Sequence, residues 1–63
     1  MNDGEAFWKT MPLPEAIDHL ERLMISEALN KHNGNISRTA RELGMTRRGL
    51  QLKLGRYDLS ATD

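Results

Sequence analysis

Two short breaks constrain this sequence more than any other feature, because they divide its middle into three segments of helical periodicity. The first break is Asn33 and Gly34, and the second is Gly44. Asparagine and glycine readily adopt the left-handed backbone conformation that ends helices. The segments that follow begin after Asn35 and Thr46, residue types that cap helix N-termini. The sequence therefore predicts an all-α domain whose helices are joined by tight turns.

Apolar spacing sets the expected bounds of each helix. The first helix is expected over residues 14–32, with Pro14 tolerated in its first turn. The second is expected over residues 36–43 and the third over residues 47–56. Their inner faces carry apolar residues at helical spacing: Ile36, Ala40 and Leu43 in the second helix, and Leu50, Leu54 and Tyr57 in the third. We expect one domain with four parts: a flexible lead-in (1–12), a long dimerisation helix (13–33), a helix-turn-helix unit (34–57) and a polar tail (58–63).

The small size of the chain limits the core that it can bury. A chain of 63 residues is marginal by itself, because a domain of this size buries only about 60% of the surface of its unfolded chain. Such domains usually need a disulfide, a metal or a partner subunit. The chain contains no cysteine, which excludes disulfides and zinc sites built from thiolates. No apolar run approaches the roughly 20 residues of a membrane span. Oligomerisation is the remaining source of stability.

The first helix carries a wider apolar surface than one small core requires. A helix on a single core needs an apolar stripe of roughly 100° or somewhat more, whereas here the apolar arc covers more than half of the circumference. The arc comprises Leu13, Ile17, Leu20, Leu23, Met24, Ile25, Ala28 and Leu29. A symmetric dimer would cover the excess, and the expected interface is Ile17, Leu20, Leu23 and Met24. In the alternative, Phe7 and Trp8 cover this face within one monomer.

Charge is segregated along the chain although the total is zero. Residues 1–30 hold two basic side chains against six acidic ones, and residues 31–57 hold seven basic ones against Glu42 alone. A basic second half favours contact with a polyanion. The alternative is a solvated basic surface with no such partner.

The second and third helices, with a glycine in the turn between them, form a helix-turn-helix pattern. In this motif the second helix enters the DNA major groove, and its N-terminal residues contact base edges. Arg47 and Arg48 stand at that N-terminus, where the helix dipole disfavours cations. Arginine matches the acceptors of guanine, so we expect their partner to be DNA rather than another part of the chain. Thr46 and Gln51 complete the set of predicted base-reading residues, with Gln51 suited to adenine.

A second group of residues is placed for the DNA backbone. Short donors and free backbone N–H groups at the start of the second helix suit a phosphate, and the predicted contacts there are Asn35, Ser37, Thr39 and Arg38. Lys53 and Arg56 flank the outer face of the third helix. On that face Gly49 and Gly55 are expected to leave the surface low, which allows close approach.

These residues resemble a known family. The stretch "GNISRTARELGMTRRGLQLKLGRY" is similar to the C-terminal helix-turn-helix of the Fis family, which includes the DNA-binding domains of sigma-54-dependent activators of the NtrC class. The resemblance extends back through "LPEAIDHLERLMISEALNKHN" and covers roughly residues 13–57. It implies an intertwined homodimer whose recognition helices enter successive major grooves of an inverted repeat.

The resemblance also implies roles for individual residues. Arg47 corresponds to the main base-reading arginine, with Thr46 and Arg48 beside it, while Asn35, Ser37 and Lys53 correspond to backbone contacts. Leu52 departs from the family, because many members carry a basic residue there, so a member's target sequence does not transfer. Residues 1–12 do not resemble the N-terminal region of Fis itself. This favours a domain of a larger cytoplasmic, nucleoid-associated activator with receiver and ATPase domains upstream.

Other chemistry has little support in the sequence. Glu15 and His19 lie four residues apart on one helix face, and we expect them to be solvated rather than to hold a metal. Asp18, His19 and Ser26 are near one another in sequence but supply no oxyanion site. No enzymatic activity and no cofactor are predicted. Two hypotheses remain: a sequence-specific dimeric DNA-binding domain, and a structural oligomerisation or protein-interaction module.

Overall fold

Three α-helices make up most of residues 8–59, the part of the chain that the computed structural model describes. They are α1 (Leu13–Lys31), α2 (Ile36–Leu43) and α3 (Arg47–Tyr57), preceded by a single 3₁₀ turn at residues 8–10. The predicted all-α class and the order of the helices are confirmed, and each helix begins and ends within one residue of its expected bounds. The expectations for Phe7, for the rest of residues 1–7 and for residues 60–63 fall outside the described residues.

Side-chain caps start the two helices of the helix-turn-helix. The Asn35 Oδ1 accepts a hydrogen bond from the Arg38 N–H at 2.9 Å, and the Thr46 Oγ1 accepts one from the Gly49 N–H at 2.9 Å. Each cap satisfies a backbone donor that has no partner within its helix. The first helix differs, since Pro12 precedes it and provides no side-chain cap.

A left-handed residue ends α2 and forms the turn. Gly44 has a φ of 71°, and the Met45 N–H then donates back to the Ala40 carbonyl at 2.9 Å. Together with a bond from the Gly44 N–H to the Arg41 carbonyl, this is a Schellman motif. Met45 is partly buried against the core after the turn. The predicted role of Gly44 as a helix stop is confirmed.

The end of α3 differs from the sequence-based expectation. Asp58 adopts a φ of 57°, and the Leu59 N–H donates to the Leu54 carbonyl at 2.9 Å. Leu59 packs against the core. Residues 58 and 59 therefore close α3 in a Schellman motif as well, and their assignment to a polar tail was wrong. Aspartate is a less common residue than glycine at this position, which is why the signal was missed.

The core lies where the C-terminal half of α1 meets the helix-turn-helix, and α2 packs against both other helices. It consists of Ile25, Leu29, Ile36, Ala40, Leu50, Leu54 and Tyr57. Thr39 is also fully buried, and its hydroxyl donates to the Asn35 carbonyl at 2.7 Å. Thr39 is thus a satisfied core residue, and the expectation that it offers a donor to DNA was wrong.

Most of the apolar arc of α1 faces away from this core. Only Ile25, Ala28 and Leu29 of α1 are buried. The remaining five apolar residues form what we call the apolar face of α1, with exposed fractions of 72% for Leu13, 46% for Ile17, 50% for Leu20, 48% for Leu23 and 52% for Met24. Trp8 is itself 52% exposed, and the five side chains of this face stay about half exposed or more beside it. None of the helices in residues 8–59 has the length and apolarity needed to cross a bilayer.

Candidate nucleic-acid interface

The turn between α2 and α3 fixes the N-terminus of α3 at the surface. Ala40 is 2% exposed and Leu50 is fully buried, so the two helices meet closely behind the turn. Leu50, Leu54 and Tyr57 occupy the inner side of α3, as predicted. The residues on the other side therefore face solvent. Arg47, Arg48, Gln51 and Leu52 are all exposed, the last to 64%.

Arg47 has a partner within the chain. Its Nη1 donates to the Ser37 Oγ at 2.6 Å, which links the N-termini of α3 and α2. The expectation that the partner of Arg47 lies only outside the chain was wrong. This bond fixes the position of the Arg47 guanidinium relative to α2. The same hydroxyl retains its own proton as a donor for a phosphate oxygen.

Two other predicted contact residues use their side chains as caps. The oxygen of Thr46 accepts from Gly49 and that of Asn35 accepts from Arg38. The Thr46 hydroxyl proton and the Asn35 amide N–H groups are the donors that each retains for DNA. Arg38 is exposed beside Asn35. Asn35, Arg38, Thr46 and Arg47 thus lie at the N-terminal ends of two helices, where backbone N–H groups also favour an anion.

The glycines of α3 serve different purposes. A Cβ at Gly49 would lie 3.0 Å from the Thr46 Oγ1, whereas a Cβ at Gly55 would meet nothing within 4 Å. Gly49 is half-buried beneath the cap. Its expected role in lowering the outer face was therefore wrong, and its small size makes room for the Thr46 cap. Gly55 lies on the open surface as predicted.

Lys53 and Arg56 are paired with acidic residues of α1. The Lys53 Nζ lies 2.6 Å from the Glu21 Oε1, and the Arg56 Nη2 lies 3.1 Å from the Asp18 Oδ1. The hydrogen bond from Lys53, followed by one from Tyr57, lowers the pKa of the Glu21 carboxyl below its ordinary value. The role of Lys53 and Arg56 as phosphate contacts stays a prediction. Each would have to bind a phosphate while it is also paired with a carboxylate.

Tyr57 lies at the centre of these pairs and was missed as anything but a core residue. Its hydroxyl is within hydrogen-bonding distance of both the Glu21 Oε1 and the Asp18 Oδ1, the latter at 3.2 Å. Hydrogen bonding to Glu21, then burial, raises the pKa of Tyr57 to about 12. The sequence did contain a signal: Asp18 and Glu21 are three residues apart, as are Lys53 and Arg56.

A second acidic contact joins α1 to α2. The Glu42 Oε1 lies 2.8 Å from the His32 Nε2 and 3.3 Å from the Lys31 Nζ. The hydrogen bond from His32, then that from Lys31, lowers the pKa of Glu42. Glu42, the one acidic residue among residues 31–57, is thus held toward the C-terminus of α1. Within residues 8–59 no three His, Asp or Glu side chains are arranged to hold a metal ion.

Comparisons with known proteins agree with this architecture. The chain is 49% identical over 47 residues to the hydrogenase transcriptional regulatory protein HoxA of Bradyrhizobium diazoefficiens, which covers 75% of this chain and 10% of that protein. It is 40% identical over 67 residues to the regulatory protein AtoC of Escherichia coli, covering 98% and 14%. It is 44% identical over 57 residues to the nitrogen fixation protein AnfA of Azotobacter vinelandii, covering 90% and 10%.

The chain spans about a tenth of the length of these relatives. No solved structure matches it. Residues 16–57, which include most of α1 and the whole helix-turn-helix, match the Fis family of bacterial regulatory proteins. With three helices in the expected order and caps at both breaks, the resemblance seen in the sequence is confirmed, and the chain belongs to the Fis family of bacterial regulatory proteins.

Proposed function

We propose that this chain binds double-stranded DNA sequence-specifically, as a homodimer, with α3 in the major groove. Membership of the Fis family implies DNA binding, and the observation that supports specific binding is the exposed N-terminus of α3 with Arg47 and Arg48 side by side. Arginine forks match guanine O6 and N7 in the major groove. Thr46 and Gln51 extend the same surface and supply further donors to base edges.

Backbone contacts would orient α3 in the groove. Ser37 holds Arg47 in place and has a proton left for a phosphate oxygen, and Asn35 and Arg38 lie beside it at the N-terminus of α2. Contacts of this kind fix register without reading sequence. Lys53 and Arg56 add electrostatic attraction along the helix.

The apolar face of α1 supports a dimer. Five large apolar side chains on one helix are about half exposed or more, and a second copy would cover them by the same surface. The proposed interface is centred on Ile17, Leu20, Leu23 and Met24. Two recognition helices related by a two-fold axis would then read an inverted repeat, with half-site centres about one helical turn apart.

The chain is further proposed to act as the DNA-binding part of a longer regulator. The match covers only 10–14% of the three relatives described above, and two of them carry the word regulatory in their names. We propose that upstream receiver and ATPase domains, as in sigma-54-dependent activators, receive the signal in the cytoplasm.

Selection from a pool of randomised duplexes at moderate salt, with sequencing of the bound fraction, tests this function. An enriched inverted repeat would establish specificity and dimeric geometry together. Retention that only falls as salt rises, with no enriched sequence, would indicate phosphate binding alone. No retention would favour the oligomerisation or protein-interaction module, for which the apolar face of α1 would be the sole functional surface.

Substitutions separate base reading from charge. Arg47→Ala and Arg48→Ala should each weaken binding by about 1–3 kcal/mol and relax the preference at one base pair. Arg41→Ala, which removes an equal charge from the exposed side of α2, should weaken binding to all sequences alike. Equal loss of specificity in all three variants would contradict the assignment of Arg47 and Arg48 as base-reading residues.

A further inference from the structure

The N-terminal half of α1 is attached to the rest of the domain by polar side chains. Residues 13–24 contribute no buried residue, since the buried residues of α1 are Ile25, Ala28 and Leu29. The same segment carries the apolar face of α1. A group that we call the polar clamp joins it to the C-terminal half of α3, and its members are Asp18, Glu21 and Arg22 of α1 with Lys53, Arg56 and Tyr57 of α3.

Tyr57 is the centre of the clamp. Its side chain is buried, its hydroxyl donates to Glu21 with Asp18 as the other acceptor, and its backbone carbonyl accepts from the Arg22 Nη2 at 3.2 Å. The guanidinium groups of Arg22 and Arg56 lie 5.9 and 5.5 Å from the ring centroid, close enough for cation–π attraction. One side chain thus receives contacts along a full turn of α1.

The clamp and the core together determine the angle between α1 and the helix-turn-helix. The core attaches the helix-turn-helix to α1 near Ile25 and Leu29, and the clamp attaches it one to two turns earlier, between Asp18 and Arg22. A single attachment would leave the unit able to pivot. Glu42 adds contacts to Lys31 and His32 beyond the core, toward the C-terminal end of α1, so the clamp is what restrains the N-terminal half of the helix.

The angle matters because Arg47 lies at the other end of α3 from Tyr57. Ten residues of helix separate them by about 15 Å. A tilt of about 10° would therefore move Arg47 by about 3 Å, close to the rise of about 3.4 Å between successive base pairs. A small change in the contacts of the clamp would therefore change the half-site separation that the dimer fits by about one base pair.

We propose that Asp18, Glu21 and Tyr57 are positioning residues that set the half-site spacing accepted by the dimer. The proposal rests on the dimeric DNA binding proposed above. The clamp transmits the geometry of the dimer contact on α1 to the recognition helix, without contact between these three residues and any base. In this proposal Asp18 and Glu21 act through their specific contacts with α3 and not only through their negative charge.

A spacing series tests the proposal with the 63-residue chain. The selected half-site is placed as an inverted repeat with its centres moved by one or two base pairs in either direction, and binding is measured by fluorescence anisotropy at fixed salt. The unsubstituted chain should lose affinity by about tenfold or more at two base pairs from the best spacing, because the second half-site no longer fits. Tyr57→Phe and the double variant Asp18→Asn/Glu21→Gln should flatten this profile to about threefold or less.

The variants change the polar contacts of the clamp with little change in side-chain shape. Tyr57→Phe keeps the buried ring, and the double variant replaces each carboxylate by an amide of similar shape. Circular dichroism verifies that each variant folds. Glu27→Gln, an exposed charge on α1 outside the clamp, controls for the general gain in affinity from removing a negative charge. Variant profiles parallel to that of the unsubstituted chain, shifted up or down, would overturn the positioning role while leaving specific binding intact. Specific binding by the unsubstituted chain with no dependence on spacing would also overturn it, and absence of any selected half-site would overturn the proposed function as well.

Discussion

At the scale of residues, individual hydrogen bonds and ion pairs fix the positions of the basic side chains of α3. Arg47 is exposed, yet its guanidinium is bonded to Ser37 at 2.6 Å. An arginine held by a neutral hydroxyl loses less side-chain freedom on binding than a free one, which favours affinity. At the same helix, Lys53 and Arg56 are held by carboxylates instead. Basic residues of one helix are therefore held by different groups of the chain.

Ser37→Ala should separate these effects. Loss of the hydroxyl removes the Arg47 contact and one phosphate donor, so we expect DNA affinity to fall by about 0.5–1.5 kcal/mol, together with a weaker preference at the base pair that Arg47 reads. Titration of a labelled operator and of single-base variants measures both. Ser26→Ala, the same change on α1, is the matched control. Unchanged discrimination in Ser37→Ala would show that Arg47 does not depend on this contact.

The phenol of Tyr57 should titrate far above its ordinary range. Because the folded chain raises the pKa of Tyr57 from 10.0 to about 12, the neutral phenol stabilises the fold. This contribution is fully present below pH 10 and is lost as the pH rises toward about 12. The chain has one tyrosine, so ultraviolet absorbance of the phenolate reports it directly. Glu21→Gln should lower the midpoint, and an ordinary midpoint in the unsubstituted chain would contradict the hydrogen bond to Glu21.

At the scale of elements, the residues just after α2 and α3 determine where these helices stop. Gly44 and Asp58 both adopt positive φ, and each is followed by an apolar residue that packs onto the core. The turn after α2 thereby places Met45 inside and Thr46 at the cap of α3. Because α3 begins three residues after the left-handed glycine, that backbone conformation contributes to its orientation.

Two glycine substitutions should have opposite effects on stability. Gly44→Ala places a Cβ on a residue with a φ of 71°, and although nothing lies within 4 Å, the backbone strain should cost about 1–2 kcal/mol of the free energy of unfolding. Gly55→Ala, in the last turn of α3 with equally open space, should instead stabilise by about 0.5–1 kcal/mol. Urea unfolding followed by circular dichroism measures both. Equal effects of the two changes would show that the left-handed conformation is not required.

At the scale of the whole molecule, the domain has more apolar surface than its core uses. Eight buried apolar residues among those described form the interior, while five of the apolar residues of α1 stay exposed on one face. An exposed apolar surface of this kind marks an interaction site. In a chain of this length, covering it with a second copy would add stability that the small core does not supply.

Leu20→Glu tests that interpretation. Leu20 is 50% exposed in the monomer, so the glutamate should leave the fold intact, whereas burying its charge in an apolar interface should weaken self-association about tenfold or more. Sedimentation equilibrium measures the association, and circular dichroism checks the fold. Leu52→Glu, at an exposed leucine of α3, is the control and should leave association unchanged. Equal association of the two variants would place the dimer contact elsewhere.

The sequence by itself determined the features that depend on neighbours within one turn of helix. The three helices, the caps at Asn35 and Thr46, the stop at Gly44 and the inner stripe of α3 all follow from residue types at fixed spacing, because caps and turns are formed by groups that are close along the chain. The family resemblance depended on the same local spacing. These features could be predicted without knowledge of how the helices pack.

Only the tertiary structure decided what depends on distant residues. Periodicity predicted the angular position of each apolar residue of α1. Only the packing of the three helices determined that Ile25, Ala28 and Leu29 lie in the core and that the other five are exposed. The bond between Arg47 and Ser37 spans 10 residues, and that between Tyr57 and Glu21 spans 36. A sequence reports each charge but not its partner, since the separation of two side chains in space is set by how the helices cross.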